Sequence, residues 1–462
     1  MRSSFINKST GLLVVLVCLG WVRVAGAQTA PPPGANESAV AAPGTANLGN
    51  SNGGASSLPR ATVHQLLLDP AVLRERLASQ SYDVLASKDR LAQAEASVGS
   101  ARLVPNPSLD AALTGVPVSQ SHDARFRTSS AWSVGLSQTV ELGKRGPRTE
   151  AATLRQQAAQ QELRATLGER LGVARLALAN TLHLALRLKT LRESLADAER
   201  ASGLERVRYE QKALSGMDYD RLLLDLDALR SDVLHSEAEF QAALAECSAR
   251  LLARCDLTES AEQDLVSALP LVLQNGEANL RTRPDVMQFG FEQRAAVREA
   301  EYARRRALPD LTFRVGYTRD NAAGTGEALD SISVGLSLPL PISDHGQYDA
   351  RRALARASEM DHQRSAVLAD ARAELTGLLL RKAALENTVG VLERDSIPRA
   401  EGVLNSTQQA FDHGGISLTD LLLARRTYVA LRLRLLEERF ELFTLRNDLY
   451  RVLGIDTRGA EK

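Results

Sequence analysis

Few residues of this 462-residue chain are placed where they could do chemistry. Its seven histidines show no metal-ligand spacing, and the sequence has neither a nucleophile-elbow glycine pattern nor a phosphate-binding loop. The histidines and serines are scattered through helical patterns, where packed or solvated roles are usual. The sequence therefore argues against an enzyme, and we expect no catalytic residue, no cofactor and no metal site.

The three cysteines are the next candidates. Cys18 lies in an N-terminal apolar run, but Val17 precedes it where lipoprotein signals have a small residue, so a lipid anchor is not expected. Cys247 and Cys255 are eight residues apart in a helical pattern, which separates them by about 12 Å at 1.5 Å per residue. A disulfide cannot span that distance within one helix, so we predict two passive thiols.

Two aspartates lie in matching segments, where their carboxylates could attract cations. Residues 209–218 and 411–420 align at a constant offset of 202 residues, with aromatic on aromatic and Asp218 on Asp420. The glycine, serine and aspartate of these segments are typical of a helix end followed by a new N-cap. Two alternatives follow. The aspartates N-cap the next helices, or Asp420, with or without Asp218, forms a ring of acids around a passage.

Long helices must position these segments. No proline occurs between Pro147 and Pro270, and leucines recur at spacings of mostly three, four or seven residues from 148 to 213. A helix of roughly 65 residues would be about 100 Å long, more than a globular core needs, so we expect coiled-coil packing. A second long helix is predicted at 348–411, with a kink at Pro398. Shorter helices are predicted at about 73–103, 218–253, 284–306 and 418–453.

Two predicted β-hairpins share the sequence Ser-Val-Gly-Leu-Ser, at 133–137 and 333–337. Around each copy apolar and polar residues alternate for about 12 residues, which indicates a strand with one apolar face and suits a tilted membrane-spanning strand. The second alternation continues to Ile342, and a further strand precedes each copy, at 109–113 and 311–317. The residues predicted to face lipid are Trp132, Val134, Leu136, Ile332, Val334 and Leu336.

The rest of the chain divides into an export signal, a spacer and two repeats. Residues 1–27 have basic residues, a short apolar run and an Ala-Gly-Ala end, which are typical of a cleaved secretory signal. Residues 28–60, rich in Pro, Gly, Ala, Ser and Asn, predict a disordered spacer. The first repeat is expected at 61–269 with its hairpin at about 107–143, and the second at 270–455 with its hairpin at about 309–343. Residues 456–462 form a tail.

Four strands from one chain cannot close a barrel, and an open sheet in lipid would leave edge groups unpaired. Three chains would supply about twelve strands, enough for an outer-membrane barrel, and twelve long helices to continue it as a tunnel. The acidic and basic residues number 56 each, which is not the charge pattern of a nucleic-acid binder. We therefore expect a mainly α fold with a β-barrel part, assembled from three copies into a conduit.

From about residue 61 to 455 the chain resembles the outer-membrane efflux proteins related to TolC. The resemblance rests on the duplicated plan and on the order of four segments: Pro105-Asn106-Pro107, Glu141-Leu142-Gly143-Lys144-Arg145, Arg283-Pro284-Asp285-Val286 and the turn from Gly414 to Asp420. It implies a homotrimer in the outer membrane of a Gram-negative bacterium, with its helical part in the periplasm. It also implies docking of the helical turns on a periplasmic adaptor (membrane fusion protein), which joins the trimer to an inner-membrane RND pump.

The Gly-Lys-Arg sequence at 143–145 is most similar to the branch that serves heavy-metal-cation pumps. The expected function is therefore the exit duct of a tripartite RND efflux system that exports heavy-metal cations. Alternatives are a channel for drugs or other small molecules and, in a different class, a periplasmic coiled-coil scaffold or adaptor without a barrel. The resemblance implies that the docking residues are Leu214, Ser215, Gly216, Gly414, Gly415, Ile416 and Ser417.

Two departures from the family pattern concern these turns. Lys212 stands where such turns often have a glycine. Arg221 and Leu423 stand where a second acid often follows the first by three residues. A doubled ring of acids is therefore not expected, whereas a single ring remains one of the two alternatives.

Overall fold

The computed structural model describes residues 60–115, 130–257, 276–321 and 328–455. The predicted signal peptide, the predicted tail and all of the predicted spacer except Arg60 lie outside these described residues. Among the helices of these ranges, none combines the length and the apolar character that crossing a bilayer would require.

In the first half of the chain, short elements lead to the first hairpin and then to two long helices. The short elements and the hairpin are β1 (Arg60–Thr62), α1 (Val63–Leu68), α2 (Pro70–Gln80), α3 (Tyr82–Arg102), β2 (Ser108–Thr114) and β3 (Ala131–Val140). They are followed by α4 (Arg145–Glu210), α5 (Gly216–Leu251) and β4 (Arg254–Asp256), which pairs in parallel with β1. The helix predicted at 73–103 is two helices, because Ser81 has an extended backbone between α2 and α3.

The second half repeats this order. Its elements are α6 (Gly276–Arg281), α7 (Pro284–Arg305), β5 (Leu311–Asp320), β6 (Leu329–Ser337), α8 (Gln347–Val391), α9 (Ile397–Asp412) and α10 (Leu418–Leu453). A π-helical segment, Leu392–Ser396, joins α8 to α9. It lies directly before Pro398, which has no amide hydrogen and whose ring excludes a carbonyl of the preceding turn. The interruption predicted at this proline is thus a widened helical turn.

The four hairpin strands form one antiparallel sheet in the order β2-β3-β5-β6. Within the first hairpin Ala111 pairs with Val134, and within the second Val315 pairs with Val334. The two hairpins join through β3 and β5, where Gly135 pairs with Gly316. Both predicted hairpins are therefore present. The pairing of β3 with β5 is a long-range contact that neither predicted hairpin includes.

The register separates a polar face of the sheet from an apolar one. The prediction of one apolar and one polar face around each Ser-Val-Gly-Leu-Ser copy is thereby confirmed. Gln138, the polar residue that β3 places on the apolar face, donates from Nε2 to the carbonyl oxygens of Pro105 and Thr139, each at 2.9 Å. The extension of the second strand to Ile342 is wrong, because β6 ends at Ser337. Pro339 and Pro341 lie just beyond, and proline cannot donate to a ladder.

The junctions between sheet and long helices depend on two glycines in the left-handed region. Gly143 has φ +69° and Gly346 has φ +80°, and a Cβ on Gly346 would come within 2.0 Å of the carbonyl oxygen of Ala303. Arg148, in the first turn of α4, donates to both carboxylate oxygens of Glu141, at 2.7 and 3.0 Å. The segment from Glu141 to Arg145 is therefore the fixed exit from the first hairpin.

Two large buried clusters hold the helices together, one with helices of both repeats and the other with helices of the second repeat alone. The larger one joins α1, α2, α4, α5 and α10, and its fully buried members include Leu73, Leu171, Leu178, Leu251 and Phe443. The other joins α6, α8 and α10 through Leu280, Ala371, Leu445, Leu449 and Val452. The long helices are consequently packed along their length against neighbours, as the leucine spacing predicts.

Cys247 and Cys255 form a disulfide with their Cα atoms 6.2 Å apart, so the prediction of two passive thiols is wrong. That prediction assumed one continuous helix through both residues. Instead α5 ends at Leu251, and Leu252 adopts a left-handed backbone with φ 50°. The chain therefore turns back and brings Cys255, in β4, beside the last turns of α5.

Candidate functional site at the helical turns

The turns from α4 to α5 and from α9 to α10 have the same hydrogen bonds. In the first, the amide of Ala213 donates to the carbonyl of Arg208 (2.8 Å) and the amide of Lys212 to that of Tyr209 (2.9 Å). The second turn has both bonds with the same lengths, 2.8 and 2.9 Å, between residues 202 positions later. This pair of bonds defines a Schellman motif, in which the residue after the helix cap is left-handed. The match inferred from the sequence is thus a match of backbone geometry.

The left-handed position is occupied differently in the two turns. Gly414 has φ +75°, as expected of a glycine, whereas Lys212 has φ 61° and carries a side chain. A left-handed backbone brings Cβ close to the following carbonyl oxygen and costs a non-glycine residue roughly 1–2 kcal/mol. The first turn is therefore strained where the second is not.

Serines, not aspartates, N-cap the helices that follow. Ser215 Oγ accepts from the amide of Asp218 at 3.1 Å, and Ser417 Oγ accepts from the amide of Asp420 at 3.3 Å. Each aspartate is the third residue of its helix, so the N-cap position predicted in these turns belongs to the serine. In the second turn the Asp420 carboxylate also accepts from the Ser417 amide at 3.3 Å, which completes a capping box.

The two aspartates differ in charge environment. Asp218 is half-buried and forms an ion pair with Arg221 at 3.4 Å. Arg221, which stands where the family pattern has a second acid, also donates to Thr419 Oγ1 at 3.3 Å and so contacts the other turn. Asp420 is exposed, and its carboxylate forms no ion pair within the described part of the chain. Of these two aspartates, Asp420 is the one that presents an unneutralised acid.

The two turns pack against each other. The buried residues of this contact are Leu222, Phe411, Leu418, Leu421 and Leu422. Leu214 and Ile416, which the sequence places in an exposed position, are half-buried because they pack on this cluster. The small residues beside them are exposed: Ser215, Gly216, Gly414, Gly415 and Ser417. Leu214 and Ile416 therefore pack on the buried cluster with part of each side chain and leave the rest at the surface of the turns.

Polar contacts also connect the repeats near the turns. The Arg426 guanidinium in α10 lies 2.5 Å from the Asp225 carboxylate in α5. The Arg208 guanidinium in α4 lies 5.2 Å from the centre of the Phe411 ring in α9. The sequence pattern does not identify either pair, because each partner has an ordinary position on its own helix.

Glu205 is a second buried acid near the turns, besides Asp225. Its Oε1 accepts from Arg208 at 3.1 Å, and its Oε2 is buried with no hydrogen-bond partner. Burial raises the pKa of Glu205 above its usual value; the positive charge of Arg208 opposes this shift and the negative charge of Asp412 adds to it. The acid faces a cavity of 320 Å³ between the helices of the two repeats. The ionised carboxylate of Glu205 is thus less stable at this buried position than it would be in water.

A groove of 630 Å³ runs along α9 and α10 from the second turn. Its wall combines apolar side chains with the free acid: Val403, Ile416, Asp420, Leu423 and Leu431. Leu423 is 65 % exposed, although it is apolar and well ordered within a helix. The groove is therefore a partly apolar surface beside the docking residues that the sequence predicts.

On the sheet, the apolar face is exposed in the single chain. Ile332 is 77 % and Val334 81 % exposed on β6. On the polar face, hydroxyl groups pair across strands: Ser108 with Ser137 at 2.7 Å and Thr139 with Thr312 at 3.0 Å. Within the described residues, no group of three or more His, Cys, Asp and Glu side chains could hold a metal ion.

Comparison with known proteins gives the class. Residues 277–455, which lie within the second repeat predicted at 270–455, match the family model "Outer membrane efflux protein". The cobalt-zinc-cadmium resistance protein CzcC of Cupriavidus metallidurans is 25 % identical over 411 residues, covering 86 % of this chain and 92 % of CzcC. The resemblance to outer-membrane efflux proteins that the sequence indicates is confirmed.

Solved structures give the fold. The membrane channel CusC superposes with a TM-score of 0.70 at 17 % identity, covering 83 % of this chain and 91 % of CusC. The Campylobacter jejuni outer-membrane channel CmeC superposes with a TM-score of 0.67 at 15 % identity, covering 85 % and 87 %. The chain therefore has the TolC-like fold of these two structures.

Proposed function

We propose that this chain is the outer-membrane exit duct of a tripartite RND-type efflux system and that it exports heavy-metal cations. The observation that carries the proposal is the two-faced sheet continued by long paired helices. An apolar outer face with paired hydroxyl groups on the opposite face is what a strand between lipid and a water-filled lumen requires. A periplasmic scaffold without a barrel would be surrounded by water and would not need an exposed apolar face on its sheet.

The working unit in this proposal is a homotrimer, built from the repeats at 61–269 and 270–455. The sheet of one chain has two edges, β2 and β6, whose unpaired groups would be costly in lipid. Pairing β6 of one copy with β2 of the next closes a ring without an edge. Three copies of the four strands give a twelve-strand barrel, and the helices then form a periplasmic tunnel.

The helical turns are the proposed docking site for a periplasmic adaptor, through which the duct reaches its inner-membrane pump. The exposed small residues from Ser215 to Gly216 and from Gly414 to Ser417 permit close backbone approach. The groove beside the second turn adds apolar contact through Leu423 and a charge through Asp420. An amphipathic helix hairpin is the partner that such a groove fits.

The metal cargo is supported by the CzcC relative, which is named for cobalt, zinc and cadmium resistance. Asp420 is the acid that could favour cations at the tunnel entrance, since Arg221 neutralises Asp218. A channel for drugs or other small molecules is the second candidate, because the fold, which the channel CmeC shares, does not by itself specify a cargo.

A deletion strain tests the function. Loss of the gene should lower tolerance of Co²⁺, Zn²⁺ and Cd²⁺ and raise their cellular content, with tolerance of organic dyes and detergents unchanged. The tagged chain should fractionate with the outer membrane and migrate as a heat-sensitive trimer. Sensitivity to organic compounds alone would favour the second cargo, and recovery as a soluble periplasmic monomer would overturn the duct itself.

A further inference from the structure

Four arginines without a carboxylate partner lie at the four junctions between helix and sheet. They are Arg102 at the end of α3, Arg145 at the start of α4, Arg304 at the end of α7 and Arg351 in the first turns of α8. All four are exposed, and none forms an ion pair with any described residue. The pattern gives one free guanidinium for each connection between a strand and a helix.

The acids at the same junctions are already neutralised by other cations. Glu141 is held by Arg148, at 2.7 Å, and Asp310 by Lys144, at 2.8 Å. Asp344 and Asp349 both contact Arg306, and Asp349 also pairs with Arg352 at 3.3 Å. Glu301 accepts from Arg298 at 2.8 Å and from Arg305 at 2.6 Å. The four free arginines thus leave a net positive charge at this level.

Exposed apolar side chains lie between these arginines and the strands. They are Leu103, Val104, Leu142, Leu308, Leu340 and Ile342. Tyr348 is also exposed, and the Arg351 guanidinium lies 5.7 Å from the centre of its ring. Apolar residues followed by an aromatic ring and then by cations are typical of a protein surface that passes from hydrocarbon to the headgroups of a bilayer.

We propose that Arg102, Arg145, Arg304 and Arg351 form a belt that binds the phosphate headgroups of anionic phospholipids in the periplasmic leaflet. The inference rests on the outer-membrane placement proposed above and adds a lipid partner to it. Guanidinium groups donate several hydrogen bonds in a planar fork that matches phosphate oxygens. Facing the lumen instead, twelve such charges per trimer would repel the cations that the duct is proposed to carry.

The test titrates the detergent-solubilised full chain with phosphatidylglycerol and follows its unfolding temperature. Phosphatidylcholine and inorganic phosphate serve as parallel additions. Phosphatidylglycerol should stabilise at a lower concentration than phosphatidylcholine, and inorganic phosphate should not reproduce its effect. In Arg304→Gln/Arg351→Gln the apparent affinity for phosphatidylglycerol should fall roughly thirtyfold, because two basic residues at an anionic surface contribute about 1 kcal/mol each.

The control is Lys189→Gln/Arg399→Gln, which removes the same charge from exposed positions on α4 and α9. It should retain the preference for phosphatidylglycerol, and Arg304→Lys/Arg351→Lys should retain most of it. Equal affinity of the unaltered chain for both lipids, an equal loss in the control, or equal stabilisation by inorganic phosphate would each overturn the belt. A chain that reaches the outer membrane yet lacks the preference contradicts only this inference, whereas a chain absent from the membrane contradicts the proposed duct.

Discussion

The Asp225 carboxylate and the Arg426 guanidinium, 2.5 Å apart, join the first repeat to the second just above the turns. The two side chains differ in exposure, because Asp225 is 5 % exposed and Arg426 is 64 % exposed. Removing one partner leaves a different residue behind in each case. An abandoned Arg426 can be solvated, whereas an abandoned Asp225 stays buried without its counter-charge.

We therefore expect Arg426→Ala to cost more stability than Asp225→Ala. Loss of the arginine should lower the free energy of unfolding by about 2 kcal/mol, since an uncompensated buried charge is costly. Loss of the aspartate should cost less than about 1 kcal/mol. Urea unfolding followed by circular dichroism measures both values. Equal losses in the two variants would show that burial of Asp225 does not decide the energetics of the pair.

Lys212 and Gly414 predict opposite effects of substitution in the two matching turns. Lys212→Gly should stabilise the protein by about 0.5–1 kcal/mol because it relieves the left-handed strain. Gly414→Ala should destabilise it by about 1 kcal/mol for the same reason. Gly203→Ala is the control: this glycine lies inside α4 with open space at its Cβ position, so alanine should stabilise it slightly. A lower free energy of unfolding in Lys212→Gly would contradict the inference that the left-handed backbone of Lys212 is strained.

The sequence predicts elements whose signal is periodic and local. The 66-residue α4 and the capped start of α10 follow from leucine spacing and from the Ser417 to Asp420 pattern. The pairing of β3 with β5 could not be predicted, because it depends on residues about 180 positions apart. The disulfide was missed because the left-handed Leu252 gives no compositional signal that α5 ends there.

At the turns, the sequence identifies the matching segments but not the role of each residue. Asp218 and Asp420 have equivalent sequence positions, and Arg221 and Leu423 follow them by three residues. The ion pair of Asp218 with Arg221 and the capping box of Asp420 appear only in the structure. Glu205 and its buried oxygen depend on packing between repeats, which no local pattern describes.

The proposed docking surface predicts loss of export without loss of the trimer. Gly415→Arg places a long side chain on an exposed turn, and Leu423→Arg places a charge in the groove. Both should abolish Co²⁺, Zn²⁺ and Cd²⁺ tolerance while heat-sensitive trimer remains in the outer membrane. Ser417→Arg is less informative, because it also removes an N-cap worth about 1 kcal/mol.

Gln160→Arg, an equal charge on an exposed position of α4 far along the chain from the turn, should retain export. Normal metal tolerance in both Gly415→Arg and Leu423→Arg would remove the docking role. Loss of trimer in both would instead assign these residues to the structure of the turn.

The sheet predicts unequal effects of charge on its two faces. Val334→Arg should cost roughly 2–4 kcal/mol if the residue faces the middle of the bilayer, because the guanidinium must leave water. Ser333→Arg, on the neighbouring polar face, should cost less. Refolding yield in phospholipid vesicles compares the two, and Leu336→Arg and Ser337→Arg form a second matched pair. Equal yields across the pairs would contradict the assignment of Val334 to lipid.

Glu205 predicts a pH dependence of stability whose sign follows from its burial. Its pKa is higher in the folded chain than the usual 4.5, so the unfolded chain ionises first as the pH rises. The protonated form is therefore the one that favours folding, and this contribution is lost as the pH rises through the folded pKa. Above the folded pKa the carboxylate is charged, and its buried Oε2 lacks a hydrogen-bond donor.

Glu205→Gln should consequently raise the unfolding temperature near pH 7 and have little effect below about pH 4, where the acid is protonated in both states. The amide also retains an oxygen that can accept from Arg208. Glu210→Gln is the control, because Glu210 forms an exposed ion pair with Arg206 in the same helix and such pairs contribute little. Thermal unfolding of each variant at the two pH values gives the comparison. A Gln variant that is destabilised at pH 7, or equally affected at both pH values, would contradict an unfavourable buried charge at Glu205.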